Sequence, residues 1–172
     1  MPSVLVLETN RLALRRISVD DAEFMLELLN DPSFVRYIGD RGVRTTDDAR
    51  KYIQTGPMES YERFGFGLYL VELKDTREPI GICGLLKRES LEDVDVGFAL
   101  LPRFWSKGYA VEAVSAVLAY GRDTLGLQRI VAITSPDNVA SINLLSKFGF
   151  RFERMTRLSE GSPEIKLFAS DV

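Results

Sequence analysis

The sequence predicts an α+β fold, a mixed and mostly antiparallel sheet flanked by helices, and three features carry that expectation. Three strand-like runs, at residues 65–74, 80–88 and 93–101, follow one another with short turns, the pattern of an antiparallel meander. After Pro102 the apolar period lengthens to that of a helix. A short apolar strand at 130–134 comes next, and a strand–helix–strand order of this kind implies one parallel pair.

The remaining elements follow in order. Residues 11–17 alternate, with Leu12 and Leu14 apolar and Arg11, Arg15 and Arg16 charged, as a half-exposed strand does. Ser18 with Asp21 resembles a capping box, and Ala22, Met25, Leu26 and Leu29 share one face of a helix over 19–30. Asn30-Asp31-Pro32 ends it. A second helix runs from Thr46 into the region of Tyr52, where Gly56-Pro57 interrupts the pattern. Ala110, Ala113, Val114, Val117 and Gly121 mark one face of a helix over 106–125, stopped by Gly126. Asp137 or Asn138 caps another helix carrying Ile142, Leu145 and Phe148, which ends at Gly149. Strands at 150–158 and 164–169 close the chain around a turn-rich loop at 159–163. No linker or low-complexity run divides the 172 residues, so one domain over 1–172 is expected.

Composition removes several chemistries. The chain has no histidine and one cysteine, Cys83, which excludes a Ser-His-Asp or Cys-His hydrolase and a histidine- or cysteine-built metal site. No metal is expected. A net charge of −3 argues against a nucleic-acid partner. No apolar run approaches membrane-spanning length, and the N-terminus lacks the basic and apolar regions of a signal peptide, so a cytoplasmic protein without a membrane partner is expected.

The chemistry concentrates where the 93–101 strand meets the following helix, in Leu101-Pro102-Arg103-Phe104-Trp105-Ser106-Lys107-Gly108-Tyr109-Ala110. The first turn of a helix offers unpaired N–H groups and partial positive charge, a ready anion site. Gly108 permits close backbone approach, Ala110 is nearly as small, and Arg103 and Lys107 add charge suited to phosphate. An ordinary strand-to-helix connection with a basic loop explains this segment about as well. A P-loop is excluded by its missing pattern. Downstream, Asn138, Ser141 and Leu145 share a helical face, where Asn138 and Ser141 either bond a ligand's amides or simply cap the helix.

Together the two segments resemble the GNAT acetyltransferase superfamily. Trp105-Ser106-Lys107-Gly108-Tyr109-Ala110 aligns with its acyl-CoA loop, with Trp at a position usually held by Gln or Arg. The longer Phe-Trp-x-Lys-Gly-Tyr-Ala-x-Glu-Ala run is similar to the RimJ/RimL-type branch, in which Gly is common where Ser106 stands. Leu7 to Arg15 resembles that branch's opening strand, and Asn138-x-x-Ser141 leading to Lys147-Phe148-Gly149-Phe150 resembles a further element. The likeness runs in order over nearly the whole chain.

The resemblance implies a sheet that splays open and a bulge in the 93–101 strand, leaving Phe98, Ala99 and Leu100 to bond the pantetheine arm. It implies a pyrophosphate on the amides of Ser106, Lys107, Gly108, Tyr109 and Ala110. It implies acetyl-CoA as cosubstrate and direct attack by an amine, without Cys83. Asp95 stands where relatives often carry a Glu base, and its shorter side chain calls for a water relay; Glu160 is a weaker candidate. An N–H near Phe98 or Ala99 is the expected oxyanion donor. Leu145 occupies the usual place of an acidic Tyr, leaving Ser141 as the alternative proton donor. The acceptor is a peptide N-terminal α-amine or a small-molecule amine, in a groove walled by residues 30–62 and 159–163. A noncatalytic acyl-CoA-binding module, and a monomer or a homodimer, stay open.

Overall fold

The computed structural model describes residues 4–171. One eight-stranded sheet runs through it in the order β1-β2-β3-β4-β5-β6-β8-β7. The strands are β1 (Leu5–Glu8), β2 (Leu12–Arg16), β3 (Leu68–Leu73), β4 (Pro79–Leu86), β5 (Asp95–Leu100), β6 (Arg129–Thr134), β7 (Arg151–Thr156) and β8 (Ile165–Asp171). Every neighbouring pair is antiparallel except β5 and β6. That parallel pair meets at one register point, Asp95 opposite Val131. Beyond it the sheet parts, so the mixed, splayed, mostly antiparallel architecture expected above is the one found.

The helices are α1 (Ala22–Asn30), α2 (Pro32–Tyr37), α3 (Thr46–Ile53), α4 (Glu59–Phe64), α5 (Tyr109–Asp123) and α6 (Val139–Lys147). The capping box of Ser18 and Asp21 forms as anticipated, and Thr45 with Asp48 makes a second one at α3. Several elements depart from the sequence reading, among them α2, which forms directly at the Asn30-Asp31-Pro32 break, and α5, which begins at Tyr109 and not at 106. The opening segment is a hairpin, β1 turning at Thr9 into β2, rather than one strand. Gly56-Pro57 does not end the second helix. The chain passes them as a π-helical turn, Gln54–Met58, and continues into α4. Proline has no N–H to give to the preceding turn, and the wider turn takes up that missing bond.

Helix α5 lies on one face of the sheet. A Cβ on its Gly121 would stand 3.1 Å from both Leu85 and Ile130, so the helix sits close on β4 and β6. Leu85 faces α5, and so do its cross-strand partner Val96 and the alternate residues Phe98 and Leu100. Asp95, Gly97 and Leu86 therefore share the opposite face.

Glycine at 84 keeps β3 and β4 close. A Cβ there would lie 2.1 Å from the Gly67 carbonyl oxygen and 2.7 Å from Leu68 Cα, both backbone atoms that cannot rotate away. Gly84→Ala is expected to cost about 3 kcal/mol of unfolding free energy in a urea titration, the upper end for overpacking.

Candidate active site

The opening between β5 and β6 follows from hydrogen-bond parity. Alternate residues of an antiparallel strand turn their N–H and C=O groups to the same neighbour. The Leu101 N–H donates to the Ile80 carbonyl at 2.9 Å, which turns odd positions toward β4 and Val96, Phe98 and Leu100 away from it. On that far side β6 bonds only at the splay point, where the Val131 N–H donates to Val94 at 3.0 Å. The main-chain groups of Phe98 and Leu100 thus face the opening. The Leu100 carbonyl accepts a bond from the Trp105 indole N–H at 2.9 Å, so Trp105 closes its lower end.

This corrects two expectations. Register between β4 and β5 runs unbroken from Gly81–Leu100 to Leu86–Asp95, so β5 has no bulge against β4; its free edge comes from the divergence of β6. Ala99 turns its main-chain groups toward Ile82 on β4, not into the opening.

Past β5 the chain makes a short 3-10 turn, Pro102–Phe104, and then two left-handed steps at Ser106 (φ 60°) and Gly108 (φ 84°). Such alternation turns successive N–H groups into one concavity, an anion nest. Glycine adopts this backbone freely, and serine at a cost of roughly 1 kcal/mol. Gly108 is the N-cap of α5, and no side chain caps the first turn. The first intrahelical bond is Glu112 N–H to Gly108 O, which leaves the N–H groups of Tyr109, Ala110 and Val111 ahead of the ladder.

The flanking side chains divide in role. Lys107 is exposed, and its ammonium has no partner among the described residues. Arg103 pairs with Glu27 at 3.2 Å, but both are about half exposed, so the pair holds it weakly. Tyr109 lies beneath the Arg11 guanidinium, 4.4 Å from its ring centroid. Asn138 caps α6 by accepting from the Ser141 N–H at 3.2 Å, which commits its oxygen to the helix. Ser141 is half-buried, and its hydroxyl has no partner among the described residues. Helices α5 and α6 thus begin at the carboxyl ends of the two parting parallel strands, the position at which open sheets bind ligands.

Asp95 sits at the splay point and is 1% exposed, so it is not part of a solvated strand face. The β4–β5 loop folds over it. The Lys87 ammonium donates to the Leu91 carbonyl at 2.7 Å, and Leu91 packs with Val131 and Leu167. Arg88 Nε donates to Asp95 Oδ1 at 3.0 Å, while the buried Oδ2 has no partner. Burial pushes the Asp95 carboxyl above its ordinary 3.8, and the charge and hydrogen bond of Arg88 offset part of that. Asp93 is taken up by Arg129 at 3.1 Å, and Glu160 is exposed on the β7–β8 loop. Cys83 is fully buried in β4, and burial alone pushes its thiol up. Leu145 is buried in the core.

On the face of Asp95 and Leu86 lies a pocket of about 220 Å³ between the π turn, α4 and the sheet, lined in part by Tyr52, Gly56, Phe64, Leu68 and Leu86. The helical segment supplies part of its wall, and residues 159–163 do not reach it. No group of three or more potential metal-ligating side chains occurs among the described residues. No described helix is long and apolar enough to cross a membrane.

A splayed sheet whose parting strands run into two helix N-termini, one of them behind an anion nest, defines the acyl-CoA N-acyltransferase class of fold. Residues 11–151 match the acetyltransferase (GNAT) domain family. The uncharacterized N-acetyltransferase YoaA of Bacillus subtilis (strain 168) is 35% identical over 153 residues, 88% of this chain and 86% of that protein. The chain belongs to the GNAT family and is an N-acetyltransferase. An acetyltransferase from Agrobacterium tumefaciens superposes with a TM-score of 0.82 at 23% identity, over 100% of this chain and 95% of that one. RimL, a ribosomal alpha-N-protein acetyltransferase solved in complex with coenzyme A, gives 0.83 at 18% identity over 98% of both chains. At these identities the two structures establish the shared fold.

One residue with a large part in the site was not singled out as a site residue in the sequence reading. Glu112, in the first turn of α5, accepts from the Arg11 backbone N–H and from Arg11 Nε, each at 2.8 Å, and from the Thr9 hydroxyl. Arg11 also donates to the Lys107 carbonyl at 3.0 Å. The β1–β2 turn therefore clamps the nest and the helix together. Burial opposes the charge on Glu112, but its donors outweigh that and hold the carboxyl below its ordinary 4.5. Its stabilisation is complete above that value and is lost as pH falls through the lower folded one. Glu112→Gln is therefore expected to lower Tm at pH 7 and to flatten the fall of Tm on acidification below about pH 4.5, read by a thermal-melt pH series.

Proposed function

We propose that this chain transfers the acetyl group of acetyl-CoA to a primary amine, with a peptide N-terminal α-amine as acceptor. The observation that carries the reading is the uncapped first turn of α5, placed behind the Ser106–Gly108 nest at the mouth of the β5–β6 opening. These features fit a diphosphate followed by an amide-bearing arm. The amides of Ser106 to Ala110 hold the diphosphate, with Lys107 and Arg103 beside it. The free edge of β5 at Phe98 and Leu100 holds the arm, and the α6 start at Asn138 and Ser141 flanks it. Bound there, acetyl-CoA supplies an activated acetyl thioester.

The residues of the chain then divide the proton work. Asp95 draws the proton from the acceptor amine through Oδ2, directly or by one water, because Oδ1 is held by Arg88. The Phe98 N–H faces the opening and donates to the oxygen on which negative charge develops. Ser141, with its hydroxyl uncommitted, passes a proton to the departing sulfur. Cys83 takes no part, because its thiol is buried and resists ionisation. The peptide acceptor is supported by the fold shared with RimL and by a pocket of single-side-chain size on the face of Asp95.

Two measurements test this reading. Gly108→Glu places a carboxylate and a disfavoured left-handed residue in the nest, and acetyl-CoA affinity by calorimetry is expected to fall at least about a hundredfold. Near-normal affinity sinks the diphosphate assignment. Asp95 acts only when ionised, so the acidic limb of kcat/KM lies above the ordinary carboxylate range. Asp95→Asn should remove that limb and lower turnover by about 10²–10⁴, followed by thiol release with short peptides. A pH profile unchanged by the substitution removes Asp95 from the mechanism.

A further inference from the structure

The pocket beside Asp95 is not used by any step described above. Leu86 joins the two: it lines the pocket and is also the cross-strand partner of Asp95 on the same face. Directly opposed residues of an antiparallel pair lie about 5 Å apart. An acceptor whose amine reaches Asp95 therefore carries its nearest substituent over Leu86. Glycine at 97 continues the same surface, with the position of a Cβ 3.5 Å from both Leu68 and Leu86.

The lining decides what that substituent is. Tyr52, Phe64, Leu68, Leu86 and Pro57 give aromatic and aliphatic walls. Lys87 also borders the space, but its ammonium is spent on the carbonyls of Arg88 and Leu91. Glu59 and Arg63 stand exposed at the rim, four residues apart with opposite charges, so the rim does not select one sign. At about 220 Å³ the space is smaller than a pocket for a whole ligand, and suits one side chain. The π turn, a distortion often found at functional positions, lines it on the helical side through Thr55, Gly56 and Pro57.

We propose that this pocket is the specificity subsite for the acceptor, and that the preferred acceptors are primary amines bearing an uncharged apolar side chain on the carbon next to the nitrogen. The inference rests on the assignment of Asp95 as base. Selectivity comes from burying that side chain against Tyr52, Phe64 and Leu86, and the π turn at Gly56 sets the depth.

Leucinamide and glycinamide test it, because they differ only in the apolar side chain. Thiol release by the full chain is expected to give a kcat/KM for leucinamide about 10–100 times that for glycinamide, as burial of one aliphatic side chain supplies. A Cβ on Gly56 meets no heavy atom within 4 Å, so a larger residue there projects into open space. Gly56→Leu should collapse the ratio toward one, and Gly56→Ala should lower it by a smaller factor, with acetyl-CoA affinity by calorimetry confirming an intact fold in each. A ratio near one in the unmodified chain, no turnover of leucinamide, or a ratio unmoved by both substitutions overturns the subsite. Asp95→Asn run alongside separates the two ideas, since full turnover in that variant overturns the base assignment alone.

Discussion

The site depends on one constraint, the restriction of β5–β6 pairing to a single point. A strand in the middle of a sheet normally has both edges bonded, and an unpaired buried amide costs as much as a lost hydrogen bond. Here β6 bonds β5 at Val131 and then leaves it, so the main-chain groups of Phe98 and the N–H of Leu100 are left for a ligand or solvent to satisfy, while Trp105 takes the Leu100 carbonyl. The splay is held by both sides. Strand β4 pairs β5 along its whole length, and β8 pairs β6 from Arg129 to Thr134. Each half is firm by itself, and the gap between them is part of the fold.

The same geometry gathers the chemistry. Because β5 and β6 are parallel, both must be followed by a segment that leaves from the same end, and α5 and α6 present their N-termini there. The diverging strands thus open toward two sources of N–H groups. At the other end the strands converge on Asp95, which is buried and held at Oδ1 by Arg88 of the β4–β5 loop. The left-handed turn at Ser106 and Gly108 and the buried Asp95 carboxyl therefore stand at opposite ends of one slot.

Much of this was legible in the sequence. The meander, the crossover helix and the capping residues follow local rules, and local rules held, although α5 begins at Tyr109 rather than at 106. Ser106 stands where the resembling branch commonly has Gly, but its left-handed φ is not legible in the sequence, whose pattern runs the helix from 106. The failures come from longer range. Leu5–Glu8 is a four-residue edge strand whose partner alone makes it a strand. Gly56-Pro57 interrupts the helical pattern and leaves its end open in the sequence, whereas the chain passes them in a π turn. Asp93 and Asp95 alternate as a solvated strand face would, and nothing local shows that a loop seals one of them. The role of Glu112 is invisible because its partners lie about a hundred positions earlier.

That last separation bears on how the protein is made. The turn ahead of α5 is braced by residues 9–11, which leave the ribosome long before Glu112 does. Closing so long a loop adds little to the entropic cost but must precede any reward from the contacts it forms. The earliest hairpin waits for a helix from the second half of the chain. The bracing of that turn is thereby placed late in maturation, as a property of the nearly finished polypeptide and not of its nascent fragments.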